Sequence, residues 1–287
     1  MPQLLKTPIT AGITSAMLFV LLSMLGFNSL FLMFSAIPLF YIGYSLPFAP
    51  TVIAGAVASF ILLLFNPYSS LFYIAAIAVP CFFILAHRLR TDSLIPAMAE
   101  LCGYAMVLAS TVQLATIDQG GIPGGISKAF DLSQAEAIDP KLALQMQWLM
   151  GEGSYLLIGM IAWWAVMFLI LSMWLTTKLP KGRDNQSVGQ FSTIDLPAWP
   201  LVTLLLSIGI GFLAPDNIRF LGLLGFVIML LPYVFVGAMN TPLKKALGAG
   251  LGWALVTSVC IMVLAWPAIF VAAFGVLKHT QQLIMKE

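Results

Sequence analysis

A long run without charge limits the possible folds of this chain more than any other feature of the sequence. Residues 7–86 contain no Asp, Glu, Lys or Arg. A helix needs roughly 20 apolar residues to cross about 30 Å of hydrocarbon, and the run is a multiple of that length. Each of the shorter charge-free windows that follow is close to the length of one such helix. These windows are residues 101–117, 153–177, 196–215, 220–243 and 246–277.

The composition argues against a soluble globular protein. Charged residues make up 8% of the chain, whereas soluble domains have about 25% because their surfaces must be hydrated. Stretches such as Ile61–Phe65 are continuously apolar, while the strands of a membrane barrel alternate polar and apolar residues. We therefore predict an all-α fold, a polytopic bundle of transmembrane helices.

Turn-forming clusters divide the apolar runs into spans. Gly26–Ser29, Pro47–Pro50 and Asn66–Ser70 interrupt the first run. The full pattern predicts about nine spans of near-bilayer length, at residues 9–26, 29–47, 50–66, 70–88, 93–115, 153–177, 199–214, 219–239 and 247–277. The last of them contains Pro267 and is either one tilted or kinked helix or a helix followed by a re-entrant segment.

These spans predict three segments. Residues 1–115 form an N-terminal five-helix membrane segment, and residues 151–287 form a C-terminal segment of about four spans. Between them, residues 116–150 form a polar loop with a short interfacial helix near Trp148. The glycine-rich stretch Gly120–Lys128 in this loop is expected to be flexible, since it lacks the ending of a phosphate-binding loop.

The basic residues predict the orientation of the bundle. A cytoplasmic N-terminus places most of them on the cytoplasmic side, as the positive-inside rule requires. We therefore predict a protein of the cell inner membrane with the 116–150 loop outside. The inside group is Lys6, Arg88, Arg90, Lys178, Lys181, Arg183, Lys244 and Lys245, and the outside group is Lys128, Lys141 and Arg219.

The charge and cysteine content limit the partners. A net charge of +2 does not favour nucleic acid, which requires many cationic contacts. The first apolar run leads straight into others, so we expect a retained anchor rather than a cleaved signal peptide. Cys81, Cys102 and Cys260 lie in apolar runs and are expected to be buried thiols. Membrane lipid is the expected partner.

One carboxyl group suggests a binding site. Glu100 is the acidic residue that lies well inside a predicted span, where an unpaired carboxyl costs several kcal/mol. Tyr104, one helical turn further on, and Gln113 complete the predicted substrate-binding site. The alternative is a protonated or hydrogen-bonded glutamate that ties two helices together.

Small residues and prolines give two weaker signals. Pairs four residues apart allow close helix packing, either within the bundle or against a partner helix. Mid-span prolines free backbone carbonyls, and broken helices of this kind line the sites of many carriers. The pairs are Gly12 with Ala16, Ala54 with Ala58, Gly55 with Ser59, and Gly248 with Gly252, and the prolines are Pro38, Pro80 and Pro232.

The sequence gives no support for catalysis. Its two histidines, His87 and His279, are far apart and fall at the predicted membrane edges. The zinc-protease and serine-hydrolase motifs are both missing. We therefore expect no enzyme, no catalytic residue, no metal site and no cofactor. His87–Arg90 is expected to be a basic anchoring turn that contacts lipid phosphate.

Three aromatic segments suggest a family. Phe191–Trp199, with Leu196-Pro197, leads into a span, Leu230–Gly237 ends a later span, and Phe274–Leu277 ends the last. In this order the chain resembles the YybS-like family of bacterial multi-pass membrane proteins, which has no assigned activity. The first span is similar to that of the substrate-binding membrane subunits of energy-coupling-factor transporters, where small residues dock a partner. The matching positions here are Ala11, Gly12, Ser15 and Ala16.

Taken together, the pattern and the resemblance predict a multi-pass transporter or a solute-binding membrane subunit of unknown substrate. The alternative is a non-transporting membrane scaffold that binds partner proteins or lipids. Other membrane proteins are expected to dock on the small-residue helix faces.

Overall fold

The structure is a computed structural model that describes residues 7–24, 31–88, 95–122, 124, 164–168, 170–172, 175, 196–239 and 265–286. All regular elements in these ranges are helical, as predicted. The chain divides into two units. The first comprises residues 1–101, 164–195 and 238–268, and the second comprises residues 102–163, 196–237 and 269–287.

The described helices begin and end at turn-forming or polar residues. Pro47 and Asn66 flank one helix, and the side chain of Asn66 caps the next by accepting the Tyr68 N–H. In chain order the elements are α1 Pro8–Met24, a 3-10 turn Phe31–Ala36, α2 Ile37–Ser45, α3 Phe48–Phe65, α4 Pro67–Tyr73, a π-helical segment Ile74–Ala78, α5 Val79–Arg88, α6 Ile95–Ala115, a 3-10 turn Ile117–Gln119, α7 Trp199–Leu213, α8 Asp216–Met239 and α9 Ala265–Lys286.

Four helical stretches among the described residues are long and apolar enough to cross a membrane. They are Phe48–Phe65, Pro67–His87, Ile95–Ala115 and Ile218–Ala238. Four shorter apolar helices accompany them, at Pro8–Met24, Phe31–Ser45, Trp199–Leu213 and Ile269–Met285. Helices of this kind are compatible with a membrane protein. The full number of spans, the orientation and the three-segment division stay predictions.

Two of the predicted spans differ from the observed helices. The span at 29–47 is a 3-10 turn followed by the short helix α2. Pro38 lies in the first turn of α2, where a proline removes no helical hydrogen bond, so it does not break a helix. The span predicted at 247–277 ends too early, because α9 runs on to Lys286. Its beginning stays a prediction, since residues 240–264 lie outside the described ranges.

Small residues bring the helices of the first unit together. A methyl group added at Gly12 of α1 would lie 2.5 Å from the carbonyl oxygen of Ala54 on α3. One added at Gly43 of α2 would lie 2.4 Å from the Leu85 side chain on α5. The Ala54 oxygen is a backbone atom that cannot rotate away, so α1 and α3 can pack this closely only without a side chain at Gly12. The Leu85 side chain can rotate, so the contact at Gly43 is less restrictive.

A buried polar cluster fixes α1 against α4. The Ser15 hydroxyl donates to the Ser35 carbonyl over 2.6 Å and shares a second hydrogen bond with the Tyr73 hydroxyl. Ser15, Ser35 and Tyr73 are fully buried. In an apolar environment such groups must be paired, so the cluster selects one arrangement of these helices.

A tryptophan compensates for the proline in the middle of a span. In a helix, Pro80 cannot donate to the carbonyl four residues earlier, which is that of Ala76. The Trp164 indole N–H donates to this same oxygen over 3.1 Å. The π-helical segment Ile74–Ala78 ends two residues before Pro80. The proline therefore leaves Ala76 with a hydrogen bond.

In the second unit, α8 lies against three other helices. A methyl group at Gly222 would lie 2.2 Å from the Gly211 nitrogen on α7, and one at Gly225 would lie 2.8 Å from Met106 on α6. A methyl group at Gly275 of α9 would lie 2.0 Å from the Tyr233 carbonyl oxygen on α8. Among the described residues, glycines thus allow α8 to approach these three helices closely.

Candidate functional site

A glutamate and a histidine form the clearest polar pair of the first unit. Nδ1 of His87, near the end of α5, lies 3.3 Å from Oε1 of Glu100, near the start of α6. The His87 side chain is 11% exposed, while that of Glu100 is 38% exposed. The carboxyl group is thus exposed on one side, and the imidazole lies against the other.

The local fold explains why these two side chains meet. Only residues 89–94 separate α5 from α6, so the end of the first helix and the start of the second must lie near each other. His87 is one residue from the end of α5, and Glu100 is in the second turn of α6. Glu100 is the charged residue of α6, and His87 is followed by Arg88 at the end of α5.

The three predicted site residues have different surroundings. Glu100 pairs with His87 in the first unit. Tyr104 lies on the same helix within the second unit and is partly buried. Gln113 is 2% exposed, and its Oε1 accepts the backbone N–H of Ile122 over 2.7 Å. The structure gives Gln113 a structural partner, while substrate binding by these residues stays a prediction.

Gln113 orders the beginning of the 116–150 loop. Gly120 and Gly121 have φ angles of 91° and 66°, a backbone region that favours glycine. The Gly121 N–H donates to the Thr116 carbonyl over 2.8 Å, and the N–H of the next residue, Ile122, donates to Gln113. The flexible loop predicted from Gly120 therefore begins as a hydrogen-bonded turn, and residues 125–150 lie outside the described ranges.

A second histidine is held on both ring nitrogens. His279 of α9 is 1% exposed, with Nε2 2.9 Å from the Leu196 carbonyl and Nδ1 3.4 Å from the Tyr233 hydroxyl. A carbonyl only accepts, so Nε2 carries the hydrogen and Nδ1 accepts from the tyrosine. This histidine joins α9 to α8 and to the segment that enters α7.

The described residues contain no group of three or more metal-ligating side chains. The cysteines Cys81 and Cys102 are free and buried, as predicted, and Cys260 lies outside the described residues. The His87–Glu100 pair is thus the described arrangement best suited to ligand chemistry, because its members can accept, donate or share a proton.

In comparisons with known proteins, no family model, curated protein or solved structure matches this chain. Membership of the YybS-like family therefore stays a prediction.

Helices of the same chain cover the predicted docking face. Ala11, Ser15 and Ala16 are fully or almost fully buried in the first unit, and Gly12 lies against α3. This burial is what internal packing predicts. Docking of a partner helix on this face stays a prediction, and Gly248 and Gly252 lie outside the described ranges.

The partner of Glu100 was missed in the sequence. His87 lies two residues before the short connection 89–94, whereas Glu100 lies six residues after it. Because the two positions are not equidistant from the connection, antiparallel packing alone does not place them at the same depth. His87 was instead interpreted as part of an anchoring turn, and Arg88 beside it made that interpretation plausible.

Proposed function

We propose that this protein is a multi-pass transporter or solute-binding subunit of the cell inner membrane, with the His87–Glu100 pair in its binding site. The observation that carries the proposal is a carboxyl group within a span-length apolar helix, 3.3 Å from a mostly buried imidazole. Ionisable groups at such positions are costly and generally serve function.

The energetics support a role beyond packing. Small polar contacts already join the helices of the first unit, as between Ser15 and Ser35. A carboxylate adds a larger desolvation cost than a hydroxyl, and a helix contact does not require that cost. The partial exposure of Glu100 also leaves part of its carboxyl group open to a solute.

The experiment is a solute screen on the purified protein in mild detergent. The unfolding temperature is measured with amino acids, nucleobases, water-soluble vitamins and small carboxylic acids, one at a time. We expect at least one solute class to raise the unfolding temperature of the wild type, because a ligand that binds only the folded state stabilises it. The Glu100→Gln variant should lose most of that increase.

Thr111→Ala on the same helix is the matched control. Thr111 is exposed and its hydroxyl bonds to Val107 within α6, so this variant should keep the full response. If no solute stabilises the wild type, or if Glu100→Gln responds like the wild type, the site assignment is wrong. The first of these results would favour the non-transporting scaffold.

A further inference from the structure

One face of α9 is exposed along most of the helix. Gly275 and His279 lie on the other face and contact Tyr233 of α8. Residue 277 is two positions after Gly275, which turns its side chain by about 200° and away from α8. The exposed residues on this side, named here the α9 stripe, are Phe270, Phe274, Leu277, Gln281 and Ile284.

The spacing of the α9 stripe is that of a coiled coil. Its members follow one another by four, three, four and three residues, which is the a/d pattern of the heptad repeat. Phe270, Leu277 and Ile284 take d positions, and Phe274 and Gln281 take a positions. Since this repeat has a mean period of 3.5 residues, it keeps the stripe facing one neighbouring helix.

Gln281 is the polar member of the stripe and lies at the depth of a candidate span. α9 runs antiparallel to α8, because Gly237 lies against Val271 while Tyr233 lies against His279. Tyr233 is five residues from the end of its span-length stretch, and Gln281 is two residues further along α9 than His279. At 1.5 Å per residue, Gln281 therefore lies about 10 Å inside that stretch.

A carboxamide at this depth requires hydrogen-bond partners that lipid does not supply. The Oε1 atom of Gln281 accepts from the Lys278 ammonium over 3.4 Å, and a carboxamide can accept a second bond and donate two more. Acyl chains neither donate nor accept, whereas polar side chains in membranes bond across helices. Lipid suits the apolar members of the stripe, and Gln281 calls for another protein helix.

A second copy of this chain matches the stripe in polarity and charge. Two copies inserted with the same orientation place their α9 helices parallel, so Gln281 meets Gln281 of the partner subunit. Identical carboxamides can pair because each one both donates and accepts. Lys278, at an e position, faces a g position of the other helix, and the g positions are the uncharged Ala273 and Thr280. No like charges oppose each other along this pairing.

We propose that two copies of this protein associate in the membrane through the α9 stripe, as parallel helices with their Gln281 side chains paired across the two-fold axis. The apolar a and d side chains pack between the helices, and the Gln281 pair fixes their register. The His87–Glu100 pair has no part in this contact, so its test is independent of the test of the proposed function.

Disulfide cross-linking in native membranes tests which helix covers the stripe. The native cysteines are replaced, and two copies that carry different affinity tags are expressed together. On mild oxidation, Leu277→Cys should give a product with both tags, because facing positions of a parallel pair are close enough for a disulfide. Leu206→Cys on α7 is the matched control and should stay monomeric, since the two leucines are 62% and 60% exposed.

The other outcomes overturn the proposal. If Leu277→Cys gives no cross-linked product, the stripe faces lipid. A product with a mass other than that of two chains assigns the stripe to a different protein. Equal yields from Leu277→Cys and Leu206→Cys show random collision of copies in the membrane.

The pairing of Gln281 is tested with purified protein in lipid vesicles, where energy transfer between two labelled populations gives the dissociation constant of the dimer. Gln281→Leu keeps the stripe apolar and removes the hydrogen bond, so it should weaken association about 3–30-fold. Gln281→Asn keeps a carboxamide and should lose less. Gln282→Leu, one residue off the stripe, should match the wild type. Association of Gln281→Leu as tight as that of the wild type would overturn the pairing and the choice of a second copy.

Discussion

The close approach of α8 and α9 predicts opposite effects for the same substitution at two glycines. Gly275 of α9 has no room for a methyl group, which would lie 2.0 Å from the Tyr233 carbonyl oxygen. Gly209 of α7 has no atom within 4 Å of such a methyl group. Replacing each glycine by alanine therefore isolates the effect of helix packing.

The magnitudes follow from these distances. Alanine is favoured over glycine inside a helix by about 1 kcal/mol, so Gly209→Ala should stabilise by up to that amount. At Gly275, α8 and α9 must separate by about 1.3 Å to restore a C···O contact of ~3.3 Å. Overpacking usually costs about 1–3 kcal/mol, and a backbone oxygen cannot rotate away. We expect a net loss of about 2 kcal/mol for Gly275→Ala.

Thermal unfolding in detergent, followed with a thiol-reactive fluorescent dye, measures the difference. Cys81 and Cys102 are fully buried and become reactive on unfolding, and a Cys260→Ser background removes the third thiol. With about 2–4 °C per kcal/mol for chains of comparable size, Gly275→Ala should unfold at least ~4 °C below Gly209→Ala. Equal unfolding temperatures, or a higher one for Gly275→Ala, would refute the close packing of α8 and α9.

Three further predictions use simpler changes. Tyr73→Phe should lower the free energy of unfolding by about 1 kcal/mol, the usual value of one buried hydrogen bond. Tyr68→Phe, at an exposed position, should leave the unfolding temperature unchanged in the same assay. Equal effects of the two substitutions would contradict the buried cluster. Gln113→Ala should lower the free energy of unfolding by about 1–2 kcal/mol, because a backbone N–H in the turn after α6 loses its acceptor. Loss of solute binding without loss of stability would instead give Gln113 a role in binding alone. The orientation is tested by cysteine labelling in a background without native cysteines. A membrane-impermeant thiol reagent applied to intact cells should label Lys128→Cys and not Lys181→Cys, as the positive-inside rule requires. The reverse labelling pattern would invert the predicted orientation.

The helices were predictable where hydropathy and turn residues agree. The predicted span at 50–66 matches Phe48–Phe65 within two residues at each end, because prolines and an asparagine mark both ends. The end of α9 was not predictable in this way. Lys278 and His279 are polar, but His279 is buried by partners from distant parts of the chain, and local sequence contains no sign of such partners.

The candidate site was predictable in part. Glu100 is conspicuous in the sequence because a carboxyl group in an apolar span is rare. To identify its partner His87, one must know the relative depth of two neighbouring helices. To identify the contact of Gln113, one must know the path of the chain after α6. Gly275 was missed for a related reason. The sequence search used pairs of small residues four positions apart on one helix, whereas a close crossing brings together single glycines from two helices.

The wide turn at Ile74–Ala78 has a consequence for the direction of the side chains around it. A π-helical turn holds one residue more than an α-helical turn, and each residue rotates an α-helix by about 100°. Tyr73 precedes this turn and faces Ser15, while His87 follows it and faces Glu100. Without the extra residue, one of these two side chains would point roughly a quarter-turn away from its partner. The π-helical segment therefore sets the angle at which one continuous helical stretch presents Tyr73 to Ser15 near its beginning and His87 to Glu100 near its end.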